Sequence, residues 1–201
     1  MVFAIAMMKI PLLPHTDHLL PKGRAKLTIA QARHIRMVKE ALSSNEGFLM
    51  AMIDSNREES EITEVPALTT RVQIIDFHRL EGDLLGITVE GIDILRIAKI
   101  HVDFDHLLIA DCAPYFIWPP FPAISANQYL ADKLKQLHAT VPDLGELYTK
   151  PKYSDMTWVC QRWIEVLPID VKYKQLLIHQ ESPKLAIRFL MKLLQDKNLI
   201  Y

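Results

Sequence analysis

The chain has 201 residues, half of them hydrophobic, enough for one large domain or two small ones to fold without disulfide or metal staples. Its 23 basic residues face 24 acidic ones, and a formal net charge of -1 excludes any general electrostatic pull on phosphate backbones or anionic membranes. The two cysteines, Cys112 and Cys160, lie far apart without the spacing of a zinc knuckle or redox pair, and read as reduced, buried thiols.

The apolar stretch Val2 to Met8 is too short to span a bilayer, lacks a basic n-region and runs straight into periodic sequence. A cytoplasmic protein is expected. From Phe3 to about Pro114 the pattern mostly alternates, as where Leu85, Ile87 and Val89 share one face and Gly86, Thr88 and Glu90 the other. One helix interrupts this half: Thr28 and Gln31 have capping-box spacing, and Ile35, Val38 and Leu42 form the expected inner side. Turn signals at Glu81-Gly82-Asp83, Glu90-Gly91 and Asp105-His106 make the 68–114 stretch a meander of strands.

Beyond Pro122 the period becomes 3.6. Ser125 and Gln128 are spaced as a capping box, with Ile124 and Tyr129 as a staple, ahead of a helix through Leu130, Leu134 and Leu137. Met156, Val159, Cys160, Trp163 and Ile164 recur on one helical face behind a candidate Ser154 cap, and Pro168 ends that helix. Ser182 and Pro183 suit N-cap and N1 of a last helix striped by Leu185, Phe189, Leu190, Leu193 and Leu194. The expected domains are 1–122, a small β domain including the proline and aromatic junction, and 123–201, a helical bundle.

Three segments in order carry a family resemblance: Ile10-Pro-Leu-Leu-Pro14 to Leu19-Leu-Pro-Lys-Gly23 with Leu27 to Ile29 and Arg33 to Met37; Gly86 to Ile97; and Leu167-Pro-Ile-Asp170 to Leu177 followed by Leu185 to Leu194. Together they resemble the N-terminal, substrate-binding domain of ATP-dependent Lon proteases. The resemblance implies an α+β fold, a PUA-like β-barrel followed by an α-helical bundle. It also implies a non-catalytic protein that binds unfolded or hydrophobic polypeptide segments, or adapts a partner protease or chaperone, with no cofactor. The sequence departs from the family pattern at Lys22, Gln31 and His34.

Catalytic machinery is not legible. No glycine is followed by lysine, so there is no phosphate loop, and no nucleophile elbow places a serine. His101-Val-Asp-Phe-Asp-His106 offers nitrogen and oxygen ligands at 101, 103 and 105, but with Val102 and Phe104 opposite it reads as the solvated face of a half-buried strand. Lys22, Arg24 and Lys26 are the alternative, an RNA-binding basic spot, which the neutral overall charge argues against. In the junction Tyr115 to Pro122, the aromatics Phe116, Trp118 and Phe121 are the candidate polypeptide-binding residues. The preferred reading of Trp118 is a plug between the two domains, with client contacts made by apolar side chains elsewhere on the β domain.

Overall fold

The structure is a computed structural model that describes residues 7–54 and 65–195; most of the Val2 to Met8 stretch lies outside the described residues. The chain divides into two compact units, 1–116 and 117–201, a division six residues before the expected boundary.

The first unit is built from six strands: β1 (Met8–His15), β2 (Arg24–Ile29), β3 (Phe48–Met52), β4 (Leu68–Arg79), β5 (Leu85–Val102) and β6 (Leu108–Pro114), with helix α1 (Ala32–Ser44) between β2 and β3. The sheet order is β2-β5-β4-β3-β1-β6, and β6 pairs back onto β5. That pairing closes a five-stranded ring and abolishes most free edges. β1 and β3 run parallel, and the other neighbours are antiparallel.

The 18-residue β5 makes the closure possible, because its first part pairs with β2 over Leu85–Glu90 and its last part with β6 over Leu95–Val102. Glu90-Gly91 is therefore not the expected turn; the strand runs through it. Its register with β4 shifts between Arg71 and Val72, as at a β-bulge. The segment before β2 crosses there. Lys22 N–H donates to Gly91 O at 2.7 Å and Gly91 N–H to Gly23 O at 2.9 Å, so a Cβ at Gly91 would lie 2.3 Å from Leu20 O. A glycine in a strand marks close backbone approach as readily as it marks a turn.

Successive strand residues point to opposite faces, so Leu12 and Leu13, and Leu49 and Met50, feed two different cores. One gathers Ile10, Leu12, Leu49, Ala51, Leu95, Ala110 and Cys112. In the other, Leu13, Leu27, Ile29, Phe48, Met50, Ile87 and Val89 meet Met37, Val38 and Ala41 of α1. α1 starts later than its sequence signals suggest. Thr28 is consumed by β2, Gln31 is the N-cap with no side-chain cap bond, and Leu42 faces solvent while His34, Met37, Val38 and Ala41 turn inward.

The second unit contains α2 (Gln128–Thr140), the short α3 (Pro142–Gly145), α4 (Met156–Val166), α5 (Val171–Ile178) and α6 (Lys184–Gln195). α2 opens at Asn127, whose Oδ1 accepts from Ile124 N–H at 2.8 Å. That turn replaces the expected Ser125–Gln128 box, and Ile124 is exposed and not stapled. α4 is capped by Asp155, not Ser154: its carboxylate accepts from Thr157 N–H at 3.0 Å. Leu130, Leu134, Met156, Val159, Cys160, Ile164, Ala186 and Leu190 are buried.

Candidate functional site

The run His101 to His106 departs from the strand reading. β5 ends at Val102, and residues 103–106 form a turn closed by Asp103 N–H to Leu107 O at 2.8 Å and His106 N–H to Asp103 O at 3.0 Å. His106 takes the left-handed conformation, φ 65°. Residues 101, 103 and 105 thus do not share one strand face.

Arg36 of α1 claims the carboxylates. Its Nε and Nη2 donate to the two oxygens of Asp105 at 2.8 and 2.7 Å, Nη2 also reaches Asp103 Oδ2 at 2.8 Å, and Nη1 reaches Glu40 Oε1 at 3.0 Å. A guanidinium held by a bidentate carboxylate and two further oxygens has a fixed plane. The hydrogen bond from Arg36 depresses the Asp105 carboxyl to about 2, and those carboxylates in turn raise the guanidinium further above its already high value. Asp103 Oδ1 and Asp105 Oδ1 also accept from Phe104 N–H at 2.9 Å and Leu107 N–H at 3.2 Å, so the same side chains brace the turn from within.

What the brace holds out is apolar. Val102 is 64% exposed and Phe104 82%, contrary to the expectation that they face inward. The Phe104 ring lies 4.9 Å from Arg36 Cζ, a cation–π distance, while Leu107 anchors the turn in the core. His101, at the base, bonds Asp111 Oδ2 through Nε2 at 2.6 Å, which lowers the Asp111 carboxyl. Among the described residues no group of three His, Cys, Asp or Glu side chains is placed to hold a metal ion.

The junction residues fall differently. Phe116 is exposed at the end of the first unit. Trp118, 5% exposed, donates its indole N–H to Gln180 O at 2.7 Å within the second unit. Phe121 is half-buried, its N–H bonded to Asp155 Oδ1 and its carbonyl accepting from Met156 N–H. Thr157 Oγ1 donates to Pro119 O at 2.6 Å, so the proline run is knitted to the start of α4. Of the proposed basic spot, Arg24 is spent on Glu90 at 2.7 Å and Lys22 sits in a turn with φ 65°.

Sequence reasoning also missed the interior of the helical unit. Arg162 is buried and clamps Glu165 through Nε and Nη2 at 2.6 and 2.7 Å, beneath Trp158 and Tyr148. His138 stacks on Tyr148 and shares a 2.9 Å hydrogen bond with the Tyr153 hydroxyl through Nδ1; burial, then the Arg162 charge, lowers its pKa. Burial pushes the Cys160 thiol to about 12.

A closed barrel of mixed pairing with one helix on its flank, followed by a helical unit, defines an α+β fold. The model of the ATP-dependent protease La (LON) substrate-binding domain family matches residues 9–196, and the chain belongs to that family. Among solved structures, a Lon N-terminal domain protein from Xanthomonas campestris superposes with a TM-score of 0.71 at 18% identity, covering 92% of this chain and 98% of that one. The N-terminal domain of Mycobacterium avium complex Lon protease gives 0.59 at 15% identity, with 94% and 100% covered. At these identities the likeness is one of fold. No curated protein matches at the sequence level.

Proposed function

We propose that the chain is a non-catalytic polypeptide-binding protein of the cytoplasm, which recognises exposed hydrophobic segments of unfolded chains directly or on behalf of a partner protease or chaperone. Membership of a substrate-binding domain family carries this reading. No phosphate-loop sequence occurs in residues 1–201, and no helix among the described residues is long and apolar enough to cross a membrane.

The contact surface we favour is the β5–β6 turn. An exposed phenylalanine on a loose loop would lose conformational entropy on binding; one fixed by Arg36, Asp103 and Asp105 has lost much of it beforehand. Val102 and Phe104 supply the apolar contact and the turn supplies the preorganisation. In the junction, Phe116 is the residue open to a client, Phe121 contributes an edge, and Trp118 serves the helical unit's core.

The test is capture of a fluorescently labelled, permanently unfolded polypeptide by wild type and by Phe104→Ala and Val102→Ser. Each substitution should weaken capture about five-fold or more, a loss of about 1 kcal/mol. Denaturant unfolding should stay within about 0.5 kcal/mol of wild type, as expected of exposed positions. Undiminished capture by both variants would remove the turn from the binding surface.

A further inference from the structure

The outer edge of β4 points to a partner. β5 pairs with β4 along its length, but on the other side β3 covers only Thr70, Arg71 and Val72; among the described residues no strand lies beyond Gln73–Arg79. An edge of this kind offers main-chain donors and acceptors to another strand. Phe77 N–H illustrates the outward set, since it donates to the carboxylate of its neighbour Asp76 at 2.9 Å.

Among the described residues the barrel's other open edge, β2, exposes no large apolar side chain, since Leu27 and Ile29 are buried. β4 instead exposes Ile75 at 45% and Phe77 at 59%. Its sequence is also complementary to itself. Laid antiparallel about a two-fold axis at Phe77, the strand sets Asp76 opposite His78 of a second copy, His78 opposite the second Asp76, and Ile75 opposite the aliphatic stem of Arg79. Every contact off the axis then occurs twice, as an isologous interface requires.

We propose that two copies of this chain pair through Ile75–Arg79 of β4, antiparallel and centred on Phe77, so that their sheets become continuous. On pairing, the Asp76 carboxylate leaves its own Phe77 N–H, which goes to the partner's carbonyl, and turns to the partner's imidazole. The register shift between Ile74 and Asp76 ends the ladder after a few residues, so the dimer is small and reversible. An arbitrary extended peptide could use the same main-chain groups but would lack the carboxylate and imidazole at the matching positions. The pairing uses no residue of the β5–β6 turn and stands or falls independently of client binding there.

The experiment is disulfide trapping on the full chain. Residues facing each other at the centre of an antiparallel hydrogen-bonded pair have Cα atoms about 5.5 Å apart, and that spacing suits a disulfide. Under mild oxidation Phe77→Cys should give a disulfide-linked dimer, Ile75→Cys and Arg79→Cys should each stay unlinked, and a mixture of those two should link to one another. Cys112 and Cys160 are buried and serve as the silent background. In sedimentation, His78→Asp should raise the dissociation constant about tenfold by placing carboxylates face to face. The Asp76→His, His78→Asp double variant should restore it. Phe77→Cys linking no faster than Ile75→Cys, no rescue by the double variant, or a β-forming peptide held on this edge by a monomer would each overturn the proposal.

Discussion

Replacing Trp118 by alanine tests how the junction is held. The indole is almost wholly buried and its N–H is satisfied by Gln180 O at 2.7 Å, 62 residues further along the chain. Truncating an aromatic side chain of this size in a packed site costs about 3–5 kcal/mol. Trp118→Phe keeps most of the apolar contact and loses chiefly the hydrogen bond, for about 1–2 kcal/mol. The assay is made specific by composition: Trp118, Trp158 and Trp163 all belong to the helical unit, so tryptophan emission in urea reports that unit alone. Far-UV circular dichroism reports both. Trp118→Ala should move the emission transition to markedly lower urea, with Trp118→Phe between it and wild type. An emission midpoint within about 0.5 kcal/mol of wild type would refute a structural role and return the ring to the surface.

Gly91→Ala should destabilise the barrel by more than the usual surface substitution, because its Cβ would meet Leu20 O at 2.3 Å; thermal unfolding followed by circular dichroism shows it as a lowered Tm. The Asp105 carboxyl, at about 2 when folded against 3.8 as the ordinary value, binds its proton more readily in the unfolded chain, so its contribution is complete above 3.8 and is lost as pH falls from there towards 2. Asp105→Asn should therefore flatten the acid limb of barrel stability in that window. His138 is held below its ordinary 6.5, so the unfolded chain takes up the proton first and the helical unit loses stability as pH falls below 6.5; tryptophan emission in urea at pH 7.5 and 5.5 measures it, and His138→Gln should reduce the difference.

The division into a β unit and a helical unit was legible because period 2 and period 3.6 are local properties: the alternation through Leu85, Ile87 and Val89 and the stripe from Met156 to Ile164 each needed only near neighbours. What was not legible depended on contacts distant in sequence. Gly91 read as a turn because glycine punctuates turns, whereas its requirement comes from Leu20 to Gly23 passing over the strand. Asp103 and Asp105 looked like a solvated strand face because their partner, Arg36, stands 67 and 69 residues away. The aromatic junction announced that it must pack but not on what, since the acceptor for Trp118 is the Gln180 carbonyl just past α5. Caps failed by smaller margins, with Asp155 and Asn127 each standing within three residues of the expected Ser154 and Ser125.

The most direct test of the account is an anisotropy titration of the purified chain into one labelled polypeptide prepared in two forms, permanently unfolded and natively folded. The account predicts saturable binding of the unfolded form, weak or absent binding of the folded form, and competition by short apolar peptides but not by RNA of matched length. Equal affinity for both forms, or binding that RNA displaces and apolar peptides do not, would contradict it.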